Sequence, residues 1–136
     1  MLKWHRQASY LILGLCSASG IGWFLLQVIA NWMPPQLKLW WIAHGVTGLA
    51  ALVILGAAIP QHVIVTWRTN RNRIAGASCL LCAASLAISA GMLFYAPETF
   101  RTATFWLHSI AGMALCLAFP VHIIRGKFSK PAMQPL

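Results

Sequence analysis

Four long apolar runs, separated by short stretches carrying proline, asparagine and basic residues, organise this 136-residue chain. They cover about 8–30, 39–67, 74–95 and 104–125. Each is long enough for an α-helix to cross a hydrocarbon layer of about 30 Å, at about 1.5 Å rise per residue. The N-terminal residues faintly resemble a secretory signal, with Lys3 and Arg6 before an apolar run and Ser17–Ser19 after it. That run continues through Ile21 and Phe24 to Ala30 instead of stopping at a cleavage site, which predicts a spanning helix. Pro34 and Pro35 break the first connection, and Arg68–Arg73 form a basic turn at the second. The second run is long enough to span with tilt or to project from the membrane. The third run is rich in small residues, among them Gly76, Ser85, Ser89 and Gly91, and these favour close helix contact. Short connections predict an all-α, up-down-up-down four-helix membrane bundle that forms one domain over 1–136.

Composition agrees. Hydrophobic residues make up 60% of the chain and charged residues 8%, too few to cover a soluble surface. Glu98 is the one acidic residue, which excludes a carboxylate-built calcium or magnesium site. No carboxylate lies in any span, so proton pumping is poorly supported. The net charge of +9 falls in short clusters between apolar runs, which argues for lipid head groups and against nucleic acid. Lys3, Arg6, Arg68, Arg71, Arg73, Arg125, Lys127 and Lys130 fall on one side of the predicted topology, and Lys38 and Arg101 on the other. Eight against two predicts that both termini face the cytoplasm, in a bacterial inner membrane. Trp32, Trp40, Trp41 and Trp106 lie near the outer boundary and Trp67 near the inner one, as interfacial anchors do. Cys16, Cys79, Cys82 and Cys116 all sit in apolar runs and read as small hydrophobes. The C-x-x-C spacing of Cys79 and Cys82 has no second pair or His near it.

Histidine changes the picture. His5 reads as a solvated residue at the cytoplasmic tip, but His44, His62, His108 and His122 lie inside spans, two in the second and two in the fourth. Ionisable groups inside a membrane are costly and face the protein interior. His44 and His62 are 18 residues apart, which is five whole turns of a regular α-helix; His108 and His122 are 14 apart, within about 40° of one face. In the predicted bundle the second and fourth helices run parallel, so His44 is level with His108 and His62 with His122. An internal repeat supports the pairing. HGVTG at His44–Gly48 matches HSIAG at His108–Gly112, and Pro60 and Pro120 each stand two before the second His. Trp41 and Phe105 each stand three before the first His. Gly48 and Gly112 lie one turn beyond a histidine on the same face, where a missing side chain leaves room for a flat macrocycle. The prolines are expected to bend the helix and aim the imidazole.

A mononuclear zinc or copper site gathers three or four ligands at one depth. Here the ligands divide into pairs about 21–27 Å apart along the helix axis. Two axial nitrogens per site suit a porphyrin, which supplies the other four itself, and the spacing predicts two bis-histidine haem b groups. No C-x-x-C-H occurs, so the haem is non-covalent.

On these residues the chain resembles small four-helix membrane b-type cytochromes, such as cytochrome b561-like proteins and the cytochrome b subunits of hydrogenases and formate dehydrogenases. The histidine pattern on the second and fourth helices is similar to cytochrome b of the bc complexes. The spacing of His108 and His122 is close to that family's; the spacing of His44 and His62 departs from it, and the quinol-site motif of its additional helices is absent. Many b561-like subunits also take ligands from other helices. The resemblance implies transmembrane electron transfer between a redox protein partner and quinone or a second partner, as a subunit of a respiratory or photosynthetic-type complex more than as a stand-alone enzyme. Arg68, Arg71, Arg73 and Arg125 are placed to meet propionates or, equally, anionic lipid; Lys38 and Arg101 are candidates at the outer site. Two rival readings stand beside this one. The first is a stand-alone oxidoreductase passing electrons from a small donor such as superoxide to quinone, with Gln27, Asn31 and Gln61 as hydrogen-bonding groups. The second is a structural membrane subunit whose histidines crosslink helices.

Overall fold

Residues that form good helices fill the apolar runs, and the breaks fall where backbone chemistry demands them. In the computed structural model, which describes residues 3–33, 35–69 and 71–129, α1 is Lys3–Phe24 and ends in a π-turn, Leu25–Ile29. The next span holds α2 (Leu37–Ala58), a π-turn (Ile59–Val63) and α3 (Ile64–Arg68). Helix α4 is Arg73–Tyr95, and after a 3-10 turn at Glu98–Phe100, α5 runs over Arg101–Phe128. Four helical segments of 27, 32, 23 and 31 residues are long and apolar enough to cross a membrane. No strand occurs among the described residues. Pro34 and Lys130 of the sequence reading lie outside them.

Asn31 (φ 48°) follows the first span and Asn72 (φ 47°) precedes α4; both adopt the left-handed conformation that asparagine tolerates better than other side chains. The two prolines act differently. Pro60 lies in the π-turn, where the missing N–H and the ring's clash with the carbonyl four residues back are relieved by one extra residue in the turn. Pro120 is carried inside a continuous α5. The regular five-turn count between His44 and His62 therefore does not hold, because the π-turn interrupts it.

The chain divides into two compact units, residues 1–58 and 59–136. In the first, α1 and α2 pack antiparallel, since His5 meets Ile54 while Ser19 meets His44 and Gly22 abuts Trp40. In the second, α4 and α5 do the same: Asn72 and Gly76 meet His122, Leu86 abuts Gly112, and Ser89 meets His108. The buried residues are small or polar: Ala51, Ala58, Ala75, Ala111, Ser9, Ser89 and Thr104, with Leu13 and His5. The large apolar side chains point outward, with Val53, Leu81 and Leu117 about 70% exposed (72%, 69% and 74%). In water such a surface would aggregate; against lipid it is the expected one, and small residues draw the helix backbones together.

The basic turn is pinned by its own residues. Arg73 donates to the Trp67 carbonyl from Nε at 2.7 Å and from Nη2, and its guanidinium lies 5.2 Å from the Trp67 ring centroid. Arg71 donates to the Gly126 carbonyl. Both guanidiniums thus satisfy carbonyls near helix C-termini. Arg101 pairs with Glu98 at 2.8 Å on an exposed surface, which contributes at most about 1 kcal/mol.

Candidate functional site: intramembrane histidines

His62 comes from the π-turn and His122 from the last third of α5, and their rings meet edge to face, with centroids 5.9 Å apart and planes at 85°. Two imidazoles on opposite sides of one metal ion need a centroid separation of about 6 Å, from metal–nitrogen bonds of about 2 Å and the ring radii. The separation fits a shared axial position. The His62 carbonyl accepts from Thr66 Oγ1 at 2.7 Å, a bond back along the helix that settles the backbone just after the π-turn.

His122 also has a partner on its other nitrogen. Asn72 Nδ2 lies 3.2 Å from His122 Nδ1 and donates to the His122 carbonyl at 2.8 Å. An amide nitrogen only donates, so here Nδ1 is the acceptor and Nε2 carries the ring proton. Coordination through Nε2 requires that proton to move to Nδ1 and the Asn72 amide to withdraw. Gly76 lies beside this ring, where a methyl group would make an ordinary contact 3.5 Å from His122 Cε1.

His44 and His108 each meet a serine hydroxyl instead. His44 Nδ1 is 3.0 Å from Ser19 Oγ, and His108 Nδ1 is 2.9 Å from Ser89 Oγ. Ser19 lies in the small-residue stretch Ser17–Gly20 of α1, and Ser89 is fully buried in α4. His44 and His108 belong to different compact units, so their pairing rests on the sequence geometry. Along α5, His108 and His122 both face α4, as the 14-residue spacing requires.

Gly48 and Gly112 each lie against a neighbouring helix. A methyl on Gly48 would stand 3.9 Å from Cys16 Sγ and one on Gly112 3.8 Å from a Leu86 methyl, ordinary packing distances toward the neighbouring helix. Gly20 is tighter, with a methyl there falling 2.9 Å from His44 Cε1. Ser19, Gly20 and Ser89 had a signal in the sequence, namely small polar or side-chain-free positions in otherwise apolar helices. Finding them needed the register of each antiparallel helix pair.

His5 is not solvated. It is buried in the first turn of α1, its ring hydrogen-bonds the Ile54 carbonyl through Nε2 at 3.1 Å, and its own carbonyl accepts from Ser9 at 2.8 Å. Helix α1 begins at Lys3, earlier than the apolar run, and this carries His5 into the contact with α2. The four cysteines are all half-buried thiols without disulfides.

Among the described residues no group of three or more His, Cys, Asp or Glu side chains gathers as a metal site. A site that supplies two axial nitrogens to a porphyrin does not need one. No family model, curated protein or solved structure matches the chain.

Proposed function

We propose that the chain is a transmembrane electron carrier that holds two haem b groups, one between His44 and His108 and one between His62 and His122. The observation that carries the reading is the His62–His122 pair, two imidazoles from two spans at the separation that a shared axial position requires. It is supported by the Ser19 and Ser89 contacts, which put a hydroxyl on Nδ1 of each of the other two histidines. Bound haem supplies a one-electron iron couple in the low-dielectric core. The chain's own residues fix the imidazoles, leave space beside His44 at Gly20, and surround them with helices whose outer faces suit lipid. The electron path joins a redox protein partner at one face with quinone or a second partner at the other. The full chain, purified in detergent, should give a reduced-minus-oxidised difference spectrum with a b-type α-band. A chain with no reducible band would reject the reading.

The arrangement of charge supports N-in, C-in topology, with Lys3, Arg6, the Arg68–Arg73 turn, Arg125, Lys127 and Lys130 in the cytoplasm. A phosphatase fused after Leu136 should stay inactive and a fluorescent protein there should fluoresce; the reverse result would exchange the inner and outer sites.

A second reading, histidines as struts between helices, is favoured by His5, whose bond to Ile54 ties α1 to α2 without presenting Nε2 to a metal. The same spectrum separates the two readings, since struts give no band.

A further inference from the structure

The hydroxyl protons of Ser19 and Ser89 are already committed. Ser19 Oγ donates to the Cys16 carbonyl at 2.9 Å, and Ser89 Oγ donates to the Ser85 carbonyl at 2.6 Å, with the Leu86 carbonyl at 3.2 Å. A serine hydroxyl has one proton to give and two lone pairs to offer. With those protons so placed, the serine oxygens at 3.0 and 2.9 Å offer lone pairs to Nδ1–H of His44 and His108, and the Cys16 backbone is a second hydrogen-bond partner of the His44 ring. A neutral imidazole protonated on Nδ1 carries its lone pair on Nε2.

We infer that Ser19 and Ser89 are positioning residues that fix His44 and His108 in the tautomer whose Nε2 binds iron, and that they tune the haem held there; this rests on the function proposed above. Metal-bound histidines characteristically donate the other ring N–H to an oriented acceptor, which holds the ring and raises its basicity. Each serine is such an acceptor, polarised by the carbonyl that takes its own proton. The device occurs once in each compact unit, from a serine on the helix antiparallel to the histidine's own.

It is not a general result of placing histidine in an apolar helix. The ring of His5 meets a backbone carbonyl through Nε2, which fixes the proton on that nitrogen. His122 faces an amide donor through Nδ1, which does the same. Two of the four partnered rings are thus preset for Nε2 coordination and two are not. The preset ones are the first histidine in each copy of the sequence repeat, His44 and His108.

The test uses the full haem-loaded chain and three variants, Ser19→Ala, Ser89→Ala and Ser19→Thr, in a redox titration resolved by spectral component. Loss of the acceptor makes the imidazole a weaker donor and favours ferrous iron. In each alanine variant the component that His44→Ala or His108→Ala removes should therefore be reduced severalfold more at a fixed ambient potential. A tenfold change corresponds to about 59 mV for one electron. The low-spin electron paramagnetic resonance signal of that component should move, and the other component should titrate as in the wild type. Ser19→Thr, which keeps the hydroxyl, should restore wild-type behaviour. Should Ser89→Ala fail to accumulate, Ser19→Ala and Ser19→Thr carry the same test. Alanine variants with both haem components at wild-type potentials and signals would overturn the inference while leaving the functional reading intact. A wild-type chain without haem overturns that reading first, and the inference with it.

Discussion

Replacing His62 or His122 by alanine should remove one and the same haem b component and leave intact the one that depends on His44 and His108. The two ring centroids lie 5.9 Å apart, so under the proposed arrangement each variant would delete one of the two ligands of one site. His108 and His122 cannot exchange roles, because 14 residues of continuous α5 separate them by about 21 Å, beyond the reach of one porphyrin. Loss of one nitrogen leaves five-coordinate haem or none. Low-temperature difference spectra of the four alanine variants should therefore fall into two classes, His44 with His108 and His62 with His122. If His44→Ala and His122→Ala removed one component while His108→Ala and His62→Ala removed the other, the parallel pairing would be wrong.

Gly20→Val should abolish the His44-dependent component, and Gly20→Ala should reduce it strongly. The added methyl would meet His44 Cε1 at 2.9 Å and Nδ1 at 3.4 Å, while Nδ1 is held by the neighbouring Ser19. The ring must then turn, and in turning it leaves both the serine and its axial direction. Gly48→Ala and Gly112→Ala bring methyl groups only into ordinary contact, at 3.9 and 3.8 Å from Cys16 and Leu86. They should keep both components, and Ala in place of a helix-interior Gly favours the helix by up to about 1 kcal/mol. Haem content per folded chain, compared across the four variants, checks this. Greater loss in Gly48→Ala than in Gly20→Ala would return the clearance role to Gly48.

The contrast between Gly20 and Gly48 shows what the sequence made legible. Hydrophobic run length locates all four helices, because crossing lipid imposes a length that can be counted along the chain. The repeat around His44 and His108 draws attention to histidines that each face a neighbouring helix. Periodicity within one helix, however, does not say which residue of another helix lies opposite. Ser19, Gly20, Asn72 and Ser89 act across a helix pair, so their roles depend on antiparallel register. His5 is buried because the helix starts at Lys3, inside what composition alone treats as a polar tip. The π-turn at Ile59–Val63 escaped for a related reason: proline predicts a bend, but the choice between a kink and an inserted residue is made by packing. Pro120, in the matching position of the repeat, sits in unbroken α-helix.

Haem quantification on the full chain tests the central claim most directly. Acidic organic solvent should extract non-covalent haem b from the purified protein at about two per chain, and the pyridine complex of the extract should have the spectrum of protohaem. One haem per chain at demonstrated full occupancy would remove one of the two histidine pairs. No haem, in protein folded and purified from cells supplied with it, would contradict the account.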